Sequence, residues 1–361
     1  MTRRAVAVVG AGIVGCLIAR ELAEASQDAA ITVLDRDLAG SGTSRRSAGL
    51  SLARGATPRT RRMSAFSHRY YAGLAAADPR LPIYPVGAKV IGPADLTAAG
   101  YLADLADPRP APAPPGITVP GDQRVWELAG CHYADVYVLA QAIAAKLRPR
   151  VRFAESAEVT GLTVGQDEVT VHCATGERLV ADQVVLAPGP WLAAPAWRDL
   201  LSPLGLRVKK IVAMHLERRP LPGDQVIIFE ADDAFLLPVR HRGHWLFSYT
   251  AAHWDVDPDA VPGLCPGDLA AARDCLGRYS AELADACDTG RVCCDAYSPA
   301  REPVVAALAG GRVVFAGGAS GSGYRFAPAI AAQAVALLTS TAPARASTAA
   351  SEGVTDDHQH V

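Results

Sequence analysis

Val6-Ala7-Val8-Val9-Gly10-Ala11-Gly12-Ile13-Val14-Gly15 opens the chain, and Ile31-Thr32-Val33-Leu34-Asp35 follows, with the carboxylate twenty residues beyond Gly15. Ala5 to Val9 is a continuous apolar run, the pattern of a strand buried on both faces of a parallel sheet. Ile13 to Ala25 gathers Val14, Leu17, Ile18 and Leu22 on one side and turns Arg20, Glu21 and Glu24 largely away, which is helical periodicity. A strand, a glycine turn, a helix and a second strand each have a physical use in holding a dinucleotide. Gly10 permits the tight turn, Gly12 lets backbone N–H groups approach a pyrophosphate, and Gly15 lets helix and strand pack closely. The orphan N–H groups at the helix start, around Ile13 and Val14, favour phosphate charge. Asp35, with Arg36 beside it, suits the ribose of an adenosine and repels a 2′-phosphate.

The 361 residues allow two domains, or one large one with an insertion. Half are hydrophobic and few are aromatic, so an extensive Ala/Val/Leu core is available. The formal net charge of −2 leaves no dominant basic surface, which argues against nucleic acid as a partner. Eight cysteines are scattered without CxxC or zinc-like spacing, so no metal centre is expected. The first strand begins almost at Met1 and leaves no room for a leader, which predicts reduced thiols and a cytoplasmic location. No apolar run approaches membrane-spanning length, so no membrane association is expected. Residues 340–361 are Ala/Ser/Thr-rich and polar and are expected to form a disordered tail.

After the Gly/Ser/Arg-rich loop 36–51, helices are predicted over 59–77, 95–105, 134–147 and 269–286, and strand over 83–92. Prolines at 108, 110, 112, 114, 115 and 120 make 107–120 an extended surface loop. Strands are predicted at 151–153, 159–164 and 169–173, and Val184 to Ala187 is a second fully apolar strand, ending in Pro188-Gly189-Pro190-Trp191. From 206 to 250 short alternating strands point to a separate antiparallel sheet, with Lys209 and Lys210 read as a solvated strand end. The chain then offers a third strand and glycine turn, Arg312-Val313-Val314-Phe315-Ala316-Gly317-Gly318-Ala319-Ser320-Gly321-Ser322-Gly323-Tyr324-Arg325, and a helix predicted over 329–338. Four glycines within seven residues allow a backbone concavity that favours negative charge, here facing a helix expected to start near Pro328.

A nicotinamide enzyme needs only the first of these turns. Together, in this order, they resemble the flavin amine oxidases of the D-amino-acid oxidase, glycine oxidase and sarcosine oxidase type. The resemblance covers most of the chain and implies FAD as the cofactor. It implies a mixed α/β fold: a discontinuous Rossmann-like FAD-binding domain (1–82, 134–205 and 293–339) and a mostly antiparallel-sheet substrate domain (83–133 and 206–292). Thr43, Ser44, Arg45, Ala48, Gly49 and Leu50 match the loop beneath the isoalloxazine, and Val159 the backbone contact to adenine. Pro188, Gly189 and Trp191 match the middle motif, and Gly318, Gly321, Ser322, Gly323, Tyr324 and Arg325 the turn at the flavin edge.

The resemblance also suggests the substrate contacts. Arg325 falls where a basic residue of sarcosine-oxidase-like relatives holds the substrate carboxylate; the plainer reading is an arginine paired with a surface acid. Arg45 and Arg46 lie in the loop under the flavin, facing phosphate, substrate or solvent. Tyr324 is either a pocket wall or a core tyrosine. Cys293 falls where sarcosine-oxidase relatives attach FAD covalently, against the alternatives of an inert buried thiol or a pairing with Cys294. Several positions depart from the family. Asp295 stands near the place of a glycine-oxidase arginine, Ser322 replaces a histidine, and Ala300 replaces an acid. Trp245 takes the place of an oxygen-activating lysine; a protonated His244 is a candidate cation there, against the plainer reading of a surface histidine. The implied activity is oxidation of the C–N bond of an amino acid or N-substituted amino acid, with O2 as acceptor and hydrogen peroxide as product. The alternatives are a flavin-dependent 2-hydroxy-acid dehydrogenase and a flavoprotein subunit without amine oxidase activity.

Overall fold

Ala5–Val9 lies in the middle of a six-stranded sheet in the computed structural model of the protein, which describes residues 4–340. Across the sheet the order is Val304–Leu308, Val313–Gly317, Gln183–Leu186, Ala5–Val9, Ala30–Leu34 and Val151–Ala154. All neighbours are parallel except the first pair. The pleat sends Val6 and Val8 to one side and Ala7 and Val9 to the other. Val6 and Val8 pack under the helices Ile13–Ala25, Val136–Leu147 and Gly323–Ser340. Ala7 and Val9 pack against a small antiparallel sheet of Val159–Val164, Val169–Cys173 and Arg178–Ala181. Cover on both faces accounts for a strand that is apolar at every position.

The second sheet has eight strands, in the order Thr289–Tyr297, Arg207–Leu216, His244–Tyr249, Ala234–Val239, Val226–Phe229, Ala88–Gly92, Arg124–Leu128 and Arg109–Pro110. Only Val226–Phe229 beside Ala88–Gly92 is parallel. Pro266–Gly277 and Ala281–Asp285 cover its outer face over Met214, Phe229 and Phe247. The inner face, with Ala213, Leu237 and Leu246, packs on Leu52, Ala53 and Tyr133. The mixed α/β architecture is thus the one expected.

Some elements differ from their sequence reading. The helix predicted over 95–105 shrinks to Ala103–Ala106. Asp95 Oδ1 accepts from the N–H groups of Thr97 and Ala98, a turn that competes with a helix, and Gly100 takes φ +92°. The strand predicted over 83–92 is two, Ile83–Pro85 and Ala88–Gly92, in different sheets. The helix predicted over 269–286 starts at Pro266, ends at Gly277 and restarts at Ala281, with Ser280 as cap. Lys209 and Lys210 are no solvated strand end, being 4% and 3% exposed. Lys210 Nζ pairs with buried Asp268 at 2.7 Å, and Lys209 lies over the rings of Trp254 and Tyr297. The tail expectation concerns residues outside the described ones, apart from Ser340, which ends the last helix.

That last helix begins at Gly323, six residues before the predicted start, and carries Pro328 inside it. A proline there removes the N–H that should reach the carbonyl of Tyr324. Tyr71, on the Pro58–Ala77 helix, supplies the missing donor: its hydroxyl bonds Tyr324 O at 2.8 Å. Ser67 Oγ, one turn earlier, accepts from Ala329 N. The helix can therefore extend backwards through the proline, which puts Tyr324 and Arg325 in its first turn. Replacing Tyr71 by Phe leaves a buried carbonyl unpaired, and an urea denaturation series should show a loss of about 1–2 kcal/mol. An unchanged midpoint would show that the hydroxyl is not what carries the helix past Pro328.

Candidate active site

The first and middle glycine turns touch. A Cβ on Gly10, whose φ is +101°, would sit 2.3 Å from Ala187 O, and one on Gly15 would sit 1.8 Å from Gly10 O. Only glycine fits either place. The approach leaves the start of the Ile13–Ala25 helix bare: Gly12 is its N-cap, no side chain caps it through Gly12, and no acid lies in its first turn. The Ile13 N–H points at Ser44 Oγ, 3.0 Å away. Asp35 ends its strand with Oδ2 accepting from Ala11 N at 2.6 Å and Oδ1 from Asp37 N at 2.9 Å. A glycine-lined helix start, a hydroxyl and a carboxylate one strand away form a donor and acceptor set that fits a pyrophosphate and an adenosine ribose.

Trp191 closes one side of this turn region. Its Nε1 donates to Asp259 at 2.8 Å, Arg36 lies over its ring at 4.5 Å and also pairs with Asp259, and a Cβ on Gly42 would meet the ring at 3.2 Å. Val159 is buried at the start of its strand, and Gly189, after Pro188, takes φ +58°. Gly49 has φ +66° and lies so close to Ala134 that a Cβ would come within 2.2 Å of its carbonyl. Ala48 and Leu50 flank it, and Leu50 pairs with Tyr133.

The Thr289–Tyr297 strand joins the remaining predicted residues. The 42–48 loop is fixed along it: Thr43 Oγ1 donates to Cys294 O, Arg46 to Val292 O, and Arg291 to Ser47 O. The C-terminal turn meets its other end, where Ser320 N bonds Ala296 O and Gly321 N bonds Asp295 Oδ2 at 3.0 Å. Gly318, Ser320 and Gly321 all have positive φ, so the turn is the expected concavity. The helix that faces it starts at Gly323 rather than near Pro328. Cys293 and Cys294 are both free and not paired with each other. Burial, with Asp295 nearby, pushes the Cys293 thiol up to about 12.

Arg325 stands in the first turn of the last helix. Its Nη2 donates to Ser322 Oγ at 2.5 Å, and its Nε is buried without a partner. Burial, then the charge of Arg54, pulls its pKa down to about 10. Arg54 pairs with Glu230, whose other oxygen accepts from Tyr101 at 2.8 Å. Arg325 thus has no carboxylate partner of its own, unlike the surface pairing considered from sequence. Tyr324 is buried and stacks on Tyr71 with ring centroids 4.5 Å apart. Arg54, Tyr101 and Glu230 lie outside every glycine motif, and no local pattern marks them.

His244 and Trp245 separate by pleat. Trp245 packs with the outer core, away from the inner face, while His244 stacks near His215 at 4.6 Å. Burial and the charges of Arg291 and Arg242 hold the His244 pKa below its ordinary value. These surroundings disfavour a protonated His244, the cation considered from the sequence.

These features define a flavin-linked oxidoreductase. The family model described as FAD dependent oxidoreductase matches residues 5–337, and the chain belongs to that family. Its cofactor is FAD, and the residues above fit it. Comparison of the sequence with curated proteins gives no match. Among solved structures, the L-proline dehydrogenase of P. horikoshii is 17% identical with a TM-score of 0.78, over 94% of both chains. The glycine oxidase of Geobacillus kaustophilus is 17% identical with a TM-score of 0.74, over 94% of this chain and 95% of that one. NikD, an unusual amino acid oxidase essential for nikkomycin biosynthesis, is 17% identical with a TM-score of 0.73, over 99% of this chain and all of that one. At these identities the likeness is one of fold.

Asp295 yields a test of the site's electrostatics. Burial raises its pKa to about 6, against about 4 in an unfolded chain. A raised carboxyl pKa penalises folding once the group is ionised, so the penalty is full above pH 6 and vanishes below about pH 4. Asp295→Asn should therefore raise the thermal midpoint at pH 8 and leave it unchanged at pH 4. An equal shift at both values would mean that the charge is not responsible.

Proposed function

We propose that the protein oxidises the C–N bond of a carboxylate-bearing amine, an amino acid or N-substituted amino acid, to an imine that then hydrolyses. The observation that carries this reading is Arg325. Its Nε is buried without a partner and no carboxylate among the described residues pairs with it, and a substrate carboxylate is a bidentate match for a guanidinium. Arg54 adds a further positive charge nearby, while Tyr101 and Arg54 keep Glu230 engaged. The family, together with a proline dehydrogenase, a glycine oxidase and an amino acid oxidase among its structural neighbours, supports the same substrate class.

FAD, when bound, supplies the two-electron acceptor for the C–H bond beside the nitrogen. The chain's own part is placement. In this reading Gly12, Ile13, Val14, Ser44 and Asp35 hold the adenosine and phosphate end, and Arg36, Val159, Pro188, Gly189 and Trp191 enclose it. Ala48, Gly49 and Leu50 form a floor for the ring, and Gly318, Gly321, Ser322 and Gly323 form the concavity at its edge. Arg325 and Arg54 fix the substrate by its carboxylate, and Tyr324 walls the pocket. Molecular oxygen is the proposed acceptor, giving hydrogen peroxide. Eight free cysteines accord with a reducing, cytoplasmic setting. Among the described residues no helix is long and apolar enough to cross a membrane.

Anaerobic flavin bleaching by a panel of D-amino acids, N-methyl amino acids and cyclic imino acids tests the reaction. The same arginines would also hold a 2-hydroxy acid, so hydroxy acids belong in the panel; bleaching by these alone would overturn the C–N assignment. Arg325→Met should lower kcat/KM for the active amine about thirtyfold or more, chiefly through KM, with Arg325→Lys partly restoring it. Cys293 is proposed as a covalent attachment point. Acid precipitation should then leave yellow colour in the pellet, and Cys293→Ser should release it to the supernatant. Colour wholly in the supernatant of the unaltered protein excludes the link.

A further inference from the structure

Along Arg207–Leu216 the pleat sends alternate residues to opposite faces of the large sheet. Val212 and Met214 face the outer core, and Lys210 on the same side meets Asp268 of the Pro266–Gly277 helix. Ala213 faces inward, and Lys209 shares its side. A lysine that is only 4% exposed needs an anion or an acceptor to offset its lost hydration. Among the described residues Lys209 has neither within bonding distance; its Nζ lies 5.0 Å from the ring centre of Trp254 and 5.3 Å from that of Tyr297. Ring faces attract an ammonium, but they offer no lone pair to its three N–H groups. The carboxylate directly across the sheet, Asp295, is turned to other donors, the N–H groups of Ala296 and Gly321.

The surroundings of Lys209 lead to Arg325. Tyr297 stands edge-on to Trp254 with ring centres 5.2 Å apart, and its backbone pairs with Ala319 of the C-terminal turn. Its hydroxyl lies so close to the turn that a Cβ on Gly321 would come within 3.0 Å of it. The next residue, Ser322, accepts from Arg325 Nη2 at 2.5 Å. Lys209, Tyr297, the turn and Arg325 are thus successive neighbours. Asp233, an exposed acid bonded by Thr250 Oγ1 at 2.8 Å, is within electrostatic reach of Lys209, Tyr297 and Arg325 alike. Arg301 adds positive charge on the Lys209 side: burial, and then Arg301, hold the lysine pKa below its ordinary value. The turn therefore has a basic group on either side, and one exposed, hydrogen-bonded acid serves both.

We propose that Lys209 is a specificity-determining residue: it takes a second carboxylate of the substrate, carried on the side chain or on the nitrogen substituent, while Arg325 takes the first. The substrate class is then an amine with two acidic groups, and Trp254 and Tyr297 wall the end of the site that holds the second one. The inference rests on the reading of Arg325 as a carboxylate anchor and narrows it.

Calorimetric titration of the FAD-loaded protein with matched acids tests it: succinate against butyrate, and glutarate against valerate, with the flavin absorption spectrum recorded alongside. At least one dicarboxylate should bind about tenfold or more tightly than its monocarboxylate and perturb the flavin spectrum. Lys209→Met should remove that advantage, so that the two acids bind alike, and Arg325→Met should weaken both. The proposal is overturned if both pairs bind equally in the unaltered protein, if neither dicarboxylate binds, or if the advantage survives Lys209→Met. The comparison in the unaltered protein decides even where Lys209→Met does not fold. Failure of the amine reading looks different: dicarboxylates would bind through Lys209, yet no amine, acidic or neutral, would bleach the flavin. Conversely, glutamate and glutamine bleaching it at equal kcat/KM, with no dicarboxylate advantage, would sink the role of Lys209 and leave the C–N assignment standing.

Discussion

Everything in this fold depends on how closely three backbone segments approach at the carboxyl ends of the central strands. Gly15 lies against Gly10, and Gly10 against Ala187, at distances no side chain allows. The contact does two things at once. It locks the Ile13–Ala25 helix onto the sheet, and it brings the first N–H groups of that helix to the glycine turn, with the small Ser44 hydroxyl beside them. A helix start with no acid in its first turn, and with Ser44 Oγ as the side-chain acceptor of Ile13 N, leaves further donors for an anion. The arrangement makes energetic sense once an anionic group meets those donors, which links the packing of the fold to its cofactor.

The Thr289–Tyr297 strand extends that logic to the other side of the molecule. It is the edge strand of the large sheet, yet it is not a bare edge. The 42–48 loop takes its carbonyls at Val292 and Cys294, and the C-terminal turn takes Ala296 O and Asp295. Edge strands invite unwanted pairing unless something covers them. Here the cover is provided by two of the loops that carry predicted flavin contacts, so protecting the edge and assembling the site go together.

The sequence made the central strands, the glycine turns and the fold class legible, because these are signalled by local apolar runs and by glycine where only glycine fits. Asp35 and the turn around Gly321 were read for the same reason. What escaped were features decided across long distances. No local pattern announces that Tyr71 bonds Tyr324 O, so the sequence alone places the helix start near Pro328. Lys209 and Lys210 read as surface because burial of a lysine depends on a partner, and Asp268 lies far along the chain. Trp254 and Tyr297, which cover Lys209, are equally remote. Arg54 and Arg291 sit in no motif and gain meaning only from what the fold sets beside them. The helix predicted over 95–105 failed differently: Asp95 offered its neighbours' N–H groups a nearer acceptor.

The hydroxyl that bridges Tyr71 to Tyr324 O joins residues 253 positions apart. Protein synthesis delivers the Pro58–Ala77 helix well before the arginine-bearing turn. Until the carboxyl-terminal helix emerges and docks, Tyr71 has no acceptor there, and the Ala5–Val9 sheet lacks the strand at Val313–Gly317. The nascent chain must therefore wait with an incomplete sheet and an unfinished pocket. The pocket is complete only when these distant segments have closed on each other.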